Sequence, residues 1–207
     1  MKLALFGATG HLGSQVLRQA LEQGHEVSVL VRHPEKLTLS HPQLVVYVGD
    51  ALSPEDVRLT VQGHEAVVST LGGSLQGPSG VLTQGLSNIL GAMERNGVER
   101  IVATAAAGIL QHDATSLRRD QPDFPPMFMK VSEVHLEAFR ILKSSKVSWT
   151  LLCPPYVPEG ATTGQYRILA DYGPEGGVEI STGDAAHFIL AELGRSAFVT
   201  RRVGIAY

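Results

Sequence analysis

"LFGATGHLGSQVL", residues Leu5–Leu17, decides how this chain is read. An apolar run ends, Gly7, Gly10 and Gly13 follow at three-residue spacing, and an amphipathic run begins. Strand, tight turn and helix form the context in which such glycines receive a dinucleotide. Gly7 is expected to allow the turn, Gly10 to let a pyrophosphate approach backbone N–H groups, and Gly13 to let helix pack on strand. The helix N-terminus adds partial positive charge at the same place.

Working outward, short β-rich runs recur at Lys2–Phe6, His25–Arg32, Gln43–Asp50, Glu65–Gly72, Arg100–Ala107 and Val147–Pro154. Several are apolar on consecutive positions, as strands covered on both faces are. Helical patterns separate them at Leu12–Gln23, Pro54–Gln62, Val81–Asn96 and Val131–Ser145, with Gly24, Gly63 and Gly97 placed to end the first three. This alternation predicts an α/β doubly wound parallel sheet, a Rossmann fold of strand order 3-2-1-4-5-6. After Pro154 a Pro- and Gly-rich tail leads to a helix at Gly183–Leu193 and a short strand near Val199–Ile205. A single domain over 1–207 is expected, with a cofactor core at 1–153 and a C-terminal portion, 154–207, closing the site.

With 207 residues, 43% of them hydrophobic, the chain can bury a full core. Its net charge of -3 and scattered Lys and Arg predict no nucleic-acid or membrane partner. No run reaches the ~18 apolar residues of a membrane span, and the chain enters a strand without a signal-like segment, so a soluble, cytoplasmic protein is expected. Its one cysteine, Cys153, excludes an internal disulfide, and the eight histidines show no His-x-His or His-x-x-x-His pair, so no metal is expected.

The end of the second strand selects the nucleotide. An acidic residue there would bond the 2′-hydroxyl of NAD; this chain has Arg32, suited to the 2′-phosphate of NADP(H). Asp50, closing the third strand, is placed to meet adenine. Thr70, Leu71 and Gly72 close the fourth beside the adenosine ribose and pyrophosphate.

"LFGATGHLG", "GHEVSVLVRHPEKL", "VGDALSPEDV", "VSWTLLCPPYVPEGATTGQYRI" and "ISTGDAAHFILAEL" together resemble the atypical short-chain dehydrogenase/reductases of the NAD(P)H-binding, biliverdin reductase B-like (flavin reductase) group. The resemblance runs from the first strand to the last helix. It implies a Rossmann domain that binds NADPH and passes hydride to flavins, biliverdin isomers or quinone-like acceptors. By position it puts Gly7, Thr9, Gly10, His11, Leu12 and Gly13 at the pyrophosphate, Arg32 at the 2′-phosphate and Asp50 at adenine. Thr70 and Leu71 fall at the middle of the dinucleotide, and Pro154, Pro155 and Tyr156 beside the nicotinamide. The Tyr-x-x-x-Lys pair of the wider superfamily is absent, since Pro126 stands four positions before Lys130. The vertebrate reductase of the group has Ser after the fifth strand and His after Pro-Pro; here those positions are Ala106 and Tyr156.

The acceptor is expected to stack between Ala106, Ala107 and Gly108, the Pro155–Val157 turn with Tyr156 and Val157, and Phe128 within the Met127–Met129 stretch. Tyr156 is the candidate for a catalytic hydroxyl. Cys153 reads as a small buried hydrophobe, and His135 and His187 as structural or surface residues. Three functions follow: a reductase of a planar small-molecule acceptor, an NADP(H)-binding redox sensor of the NmrA-like type, and an epimerase or isomerase. Flavin reduction is favoured, because it needs stacked rings more than a protein acid. A monomer or weak homodimer is expected.

Overall fold

In the computed structural model, which describes residues 1–72 and 80–207, the expected alternation forms one sheet. In chain order the elements are β1 (Lys2–Phe6), α1 (His11–Glu22), β2 (Glu26–Val31), β3 (Leu44–Val48), α2 (Pro54–Val61), β4 (Ala66–Ser69), α3 (Gly80–Asn96) and β5 (Arg100–Thr104). Then come α4 (Met129–Ser144), β6 (Ser148–Leu152), β7 (Arg167–Ala170), α5 (Thr182–Arg195) and β8 (Arg201–Ala206). The sheet order is β3-β2-β1-β4-β5-β6-β8-β7. Its first six strands follow the 3-2-1-4-5-6 order, all parallel, and β8 continues parallel beside β6. β7 closes the edge antiparallel to β8, with Arg167 opposite Ala206. In sequence that strand is hidden inside the tail: "RILA" is short and mostly exposed, so it carries no burial signal.

Side-chain alternation divides the core between the two faces of the sheet. Leu3 and Leu5 of β1 pack with α1 and α5, while Ala4 and Phe6 pack with α2, α3 and α4. Helix ends follow local chemistry. Gly24, Gly63 and Gly97 take positive φ just past α1, α2 and α3. Ser53 and Ser181 cap α2 and α5 by accepting from Asp56 N and Asp184 N.

Register brings the strand ends to one level. Phe6 stands beside Leu30 and Ser69, Ser69 beside Ala103, and Thr104 beside Leu152. The loops leaving these carboxyl ends therefore share one rim, where ligands bind in open α/β sheets.

The tail after Pro154 is tied across this rim. Buried Asp184 accepts from Thr163 N (2.8 Å), Thr163 Oγ1 (2.7 Å), Gly164 N (2.8 Å) and Tyr207 Oη (2.8 Å). Burial alone would raise its pKa, yet these donors hold the carboxyl below its ordinary value. From α1, Gln19 Nε2 donates to Thr162 Oγ1 and to Gly183 O, each at 3.0 Å.

Candidate functional site

The three glycines have different duties. Gly7 sits at φ +90°, and a Cβ there would lie 2.6 Å from Thr70 Oγ1. A Cβ on Gly13 would collide with the carbonyl oxygen of Gly7 and again lie 2.6 Å from Thr70 Oγ1. These two are required by the packing of β1, α1 and the end of β4 on one another. Gly10 is different: it is exposed, and a Cβ there meets only Gly7 O at 3.2 Å.

Gly10 is also the N-cap of α1. It makes no side-chain cap, and the first turn has no acidic residue. The N-termini of α2 and α5, by contrast, each carry a serine cap and an acid. An open, uncapped helix start beneath a glycine suits a phosphate, which accepts from free N–H groups and faces the positive end of the dipole. Thr9 and His11 are exposed around it and Leu12 is half-buried against the core. His11 Nε2 donates to Val157 O at 3.1 Å, which ties the glycine turn to the Pro-Pro-Tyr segment.

Arg32 follows β2 directly and is exposed; among the described residues its guanidinium has no hydrogen-bond or salt-bridge partner. Asp50 lies just beyond β3, where its Oδ1 accepts from Leu52 N at 2.9 Å. Thr70 Oγ1 donates to Phe6 O at 3.1 Å, Leu71 packs toward Gly85 of α3, and Gly72 is exposed. These positions lie along one rim, from the end of β3 to the end of β4.

Beside the β5 and β6 ends lies a cavity of about 500 Å³. Ala106, Ala107, Gly108, Phe128, Tyr156 and Val157 line it, with Pro154 and Pro155. The two strand-end segments that carry them are joined by hydrogen bonds from Ala105 N to Leu152 O (2.7 Å) and Ala107 N to Pro154 O (2.9 Å). Tyr156 is 67% exposed at the mouth, and its hydroxyl has no partner among the described residues. Met127 and Met129 are exposed and do not line the cavity, so only Phe128 of that stretch reaches it.

Phe124, which the sequence places beside the cleft in the same proline-rich stretch as Phe128, lines the wall; sequence reasoning missed Val131 and Ser132, and the polar residues His112, Arg118, Gln121 and Asp123 around it. At the four-residue spacing of the absent Tyr-Lys pair, the side chains that line the cavity are Phe128 and Ser132. Phe128 has no proton to give, and Ser132 offers only a hydroxyl. Ser132 is buried, and its hydroxyl, packed toward Gly108, lacks a partner among the described residues. One turn on, burial holds the imidazole of His135 down to about 4, so it is neutral at pH 7. Cys153, fully buried, has its thiol pushed well up by burial and is no nucleophile. Among the described residues no three His, Cys, Asp or Glu side chains converge as a metal site would require.

Comparison with known proteins identifies the family and the fold. The NAD(P)H-binding family matches residues 7–196. The uncharacterized protein YwnB of Bacillus subtilis is 27% identical over 201 residues, 93% of this chain and 92% of its own. A structure described as a candidate epimerase from Bacteroides thetaiotaomicron superposes with a TM-score of 0.88 at 27% identity, covering 100% of this chain and 96% of that one. Another, a candidate NADH-flavin reductase from Streptococcus pneumoniae, has a TM-score of 0.85 at 22% identity over 100% and 99% of the two chains, and shares the fold.

Proposed function

Because the chain belongs to the NAD(P)H-binding family, we propose that it is an NADPH-dependent reductase of a planar acceptor such as a flavin, a biliverdin or a quinone-like compound. The observation that carries this is the largely apolar cavity at the β5 and β6 ends, which adjoins the expected nicotinamide position at Pro154 and Pro155 and has Phe128 and Ser132 where a Tyr-Lys pair would stand. NADPH, when bound, supplies a hydride donor.

The chain's own residues bind, orient and exclude water. The uncapped start of α1 with Gly10 would hold the pyrophosphate, and Arg32 the 2′-phosphate. Asp50 and Thr70–Gly72 would follow the adenosine half. The small side chains of Ala106, Ala107 and Gly108 leave room for a ring, and Phe124, Phe128, Val131 and Pro155 wall it from solvent. A flavin then takes the hydride at N5 and a proton from water at N1, which balances the reduction without a protein acid. We take the protein to act in the cytoplasm, as a monomer or weak homodimer, with no nucleic-acid or membrane partner.

Oxidation of NADPH and of NADH should be followed with FMN, riboflavin, dichlorophenolindophenol and biliverdin. Turnover of at least one planar acceptor, faster with NADPH, is the expected result. Arg32→Glu should remove the NADPH preference, since a charge-assisted contact to the 2′-phosphate is worth about 1.5–3 kcal/mol, roughly 10- to 150-fold. Tight NADPH binding with no turnover of any acceptor would instead make the protein a non-catalytic NADP(H) sensor. Equal affinities for the two nucleotides in the parent would remove the role given to Arg32.

A further inference from the structure

A second cavity, of about 530 Å³, opens on the far side of the strand-end segment, between the Tyr172–Val178 turn and Ile205 and Ala206 of β8. It shares Ala107, His112, Arg118 and Pro155 with the ring cavity, so the two adjoin along one wall. No residue of the glycine turn lines it.

The shared wall has a chemical character. Its two polar members are Arg118 and His112, whereas the carboxylates belong to one cavity each, Asp123 to the first and Glu175 to the second. Neither carboxylate forms an ion pair with Arg118, which has no salt-bridge partner among the described residues. Its neighbour Arg119 shows the alternative: that guanidinium is buried and meets Glu133 at 2.7 Å.

The backbone beneath both side chains is fixed. Arg118 N donates to Leu110 O (2.9 Å), His112 N to Ser116 O (2.9 Å) and Leu117 N to Asp120 Oδ2 (3.0 Å). Asp113 Oδ1 accepts from Thr115 N and Ser116 N, each at 2.8 Å. Asp113 and Asp120 are thus spent on the segment's backbone, and Asp123 and Glu175 form no ion pair with Arg118 among the described residues, so the cation at the junction is open to a ligand.

We propose that Arg118, assisted by His112, is an anion subsite between the two cavities, and that the acceptor is a planar ring with an anionic arm, a phosphate or a carboxylate. This rests on the reductase assignment above and narrows its substrate class. The guanidinium fork matches either anion with paired N–H donors. The ring occupies the apolar cavity, and the arm crosses Arg118 into the second.

The test uses the protein saturated with NADP+ and flavin fluorescence as the binding signal, with kcat/KM under NADPH as a second readout. Lumiflavin, riboflavin and FMN present the same ring with no arm, a neutral arm and a phosphate arm; a carboxylate arm is read from biliverdin against its dimethyl ester. The parent should favour the anionic member of at least one pair by about tenfold, and Arg118→Gln should bring that ratio close to one. His112→Gln should reduce the ratio less. A general loss of stability would weaken both members of a pair and leave the ratio unmoved. Equal affinity within both pairs in the parent, or a ratio that survives Arg118→Gln, overturns the proposal while leaving the reductase standing. If lumiflavin, riboflavin, FMN and biliverdin are neither bound nor reduced, the reductase assignment falls and this inference with it.

Discussion

The loops that leave the carboxyl ends of β1 and β5 serve the same rim by opposite means. The first is four residues long, Gly7 to Gly10, and is shaped by backbone: a positive φ at Gly7, a hydrogen bond from Gly10 N to Gly7 O (2.9 Å), and Gly13 pressed on the same carbonyl. The second runs from residue 105 to residue 128 through three 3-10 turns, Ala107–Ile109, Arg118–Asp120 and Pro126–Phe128. Side chains such as Asp113, Asp120 and Gln121 hold it by bonding its backbone. The first is written in one short stretch. The second is part of a cavity assembled from the β5 loop, α4 and the distant tail, and can vary without touching the first.

The largest effect should come from the glycine turn, and it should separate the glycines. Gly13→Ala puts a methyl on the Gly7 carbonyl and against Thr70, with backbone on one side and a helix on the other, so neither can yield cheaply. We expect a loss of about 4 kcal/mol or more of unfolding free energy, or no folded protein. Gly10→Val, in the same motif, should keep its thermal midpoint within a few degrees but lose NADPH affinity by about 100-fold or more, because its branch fills space meant for phosphate. Denaturant titration and calorimetric binding on both variants distinguish the two. Similar stability losses in both would mean that Gly10 too is only a turn-maker.

The same contrast explains how much could be read from sequence. Gly7, Gly10 and Gly13, the C-terminal glycines of α1 to α3 and the consecutive apolar strands leave marks at fixed spacing, so six strands and their order were legible. β7 was not: its pairing depends on β8, some thirty residues later, and its own side chains are mostly exposed. At the cavity beside the β5 and β6 ends, Ala106 to Gly108 and Tyr156 could be placed in the lining from their position after β5 and β6. Ser132 and Val131 could not, because only the approach of α4 to the Ala107–Ile109 turn brings them there. Arg118 carried no signal at all. In sequence it is one of two adjacent arginines, and only tertiary structure pairs one and frees the other.

A middle-sized effect should come from the buried side of α4. His135, buried on α4 with its Nδ1 unpartnered among the described residues, is held down to about 4 from an ordinary 6.5. Below pH 6.5 the unfolded chain takes up a proton that the folded chain refuses until about pH 4, so stability falls with pH through that window and levels off beneath it. Between pH 7 and pH 4.5 the parent should lose about 2–3 kcal/mol more than His135→Leu, which has nothing to titrate there. Urea unfolding of both proteins at the two pH values measures the difference. Parallel losses would show that the imidazole finds a partner when charged.

The smallest effect expected is at Tyr156, and it bears most directly on how the acceptor side works. The phenol stands at the cavity mouth, exposed, with backbone bonds to the Val178–Ile180 segment fixing its place: Tyr156 N donates to Val178 O, and Ile180 N to Tyr156 O at 3.0 Å. Tyr156→Phe keeps the ring and the backbone and removes only the hydroxyl. If the site acts by stacking two rings and shielding them, with water as the proton source, the rate at saturating NADPH should fall by less than about tenfold. An essential general acid would typically cost about 100-fold or more. The pH profile supplies a second reading, because loss of a required acid would remove a limb from the parent's kcat curve, whereas a stacking residue would leave its shape alone. A large loss with a changed profile would make the hydroxyl the proton donor. The glycine turn and the wall built by the β5 loop and the Pro-Pro-Tyr turn would then differ in chemistry as well as in construction, one only binding and the other taking part in the reaction.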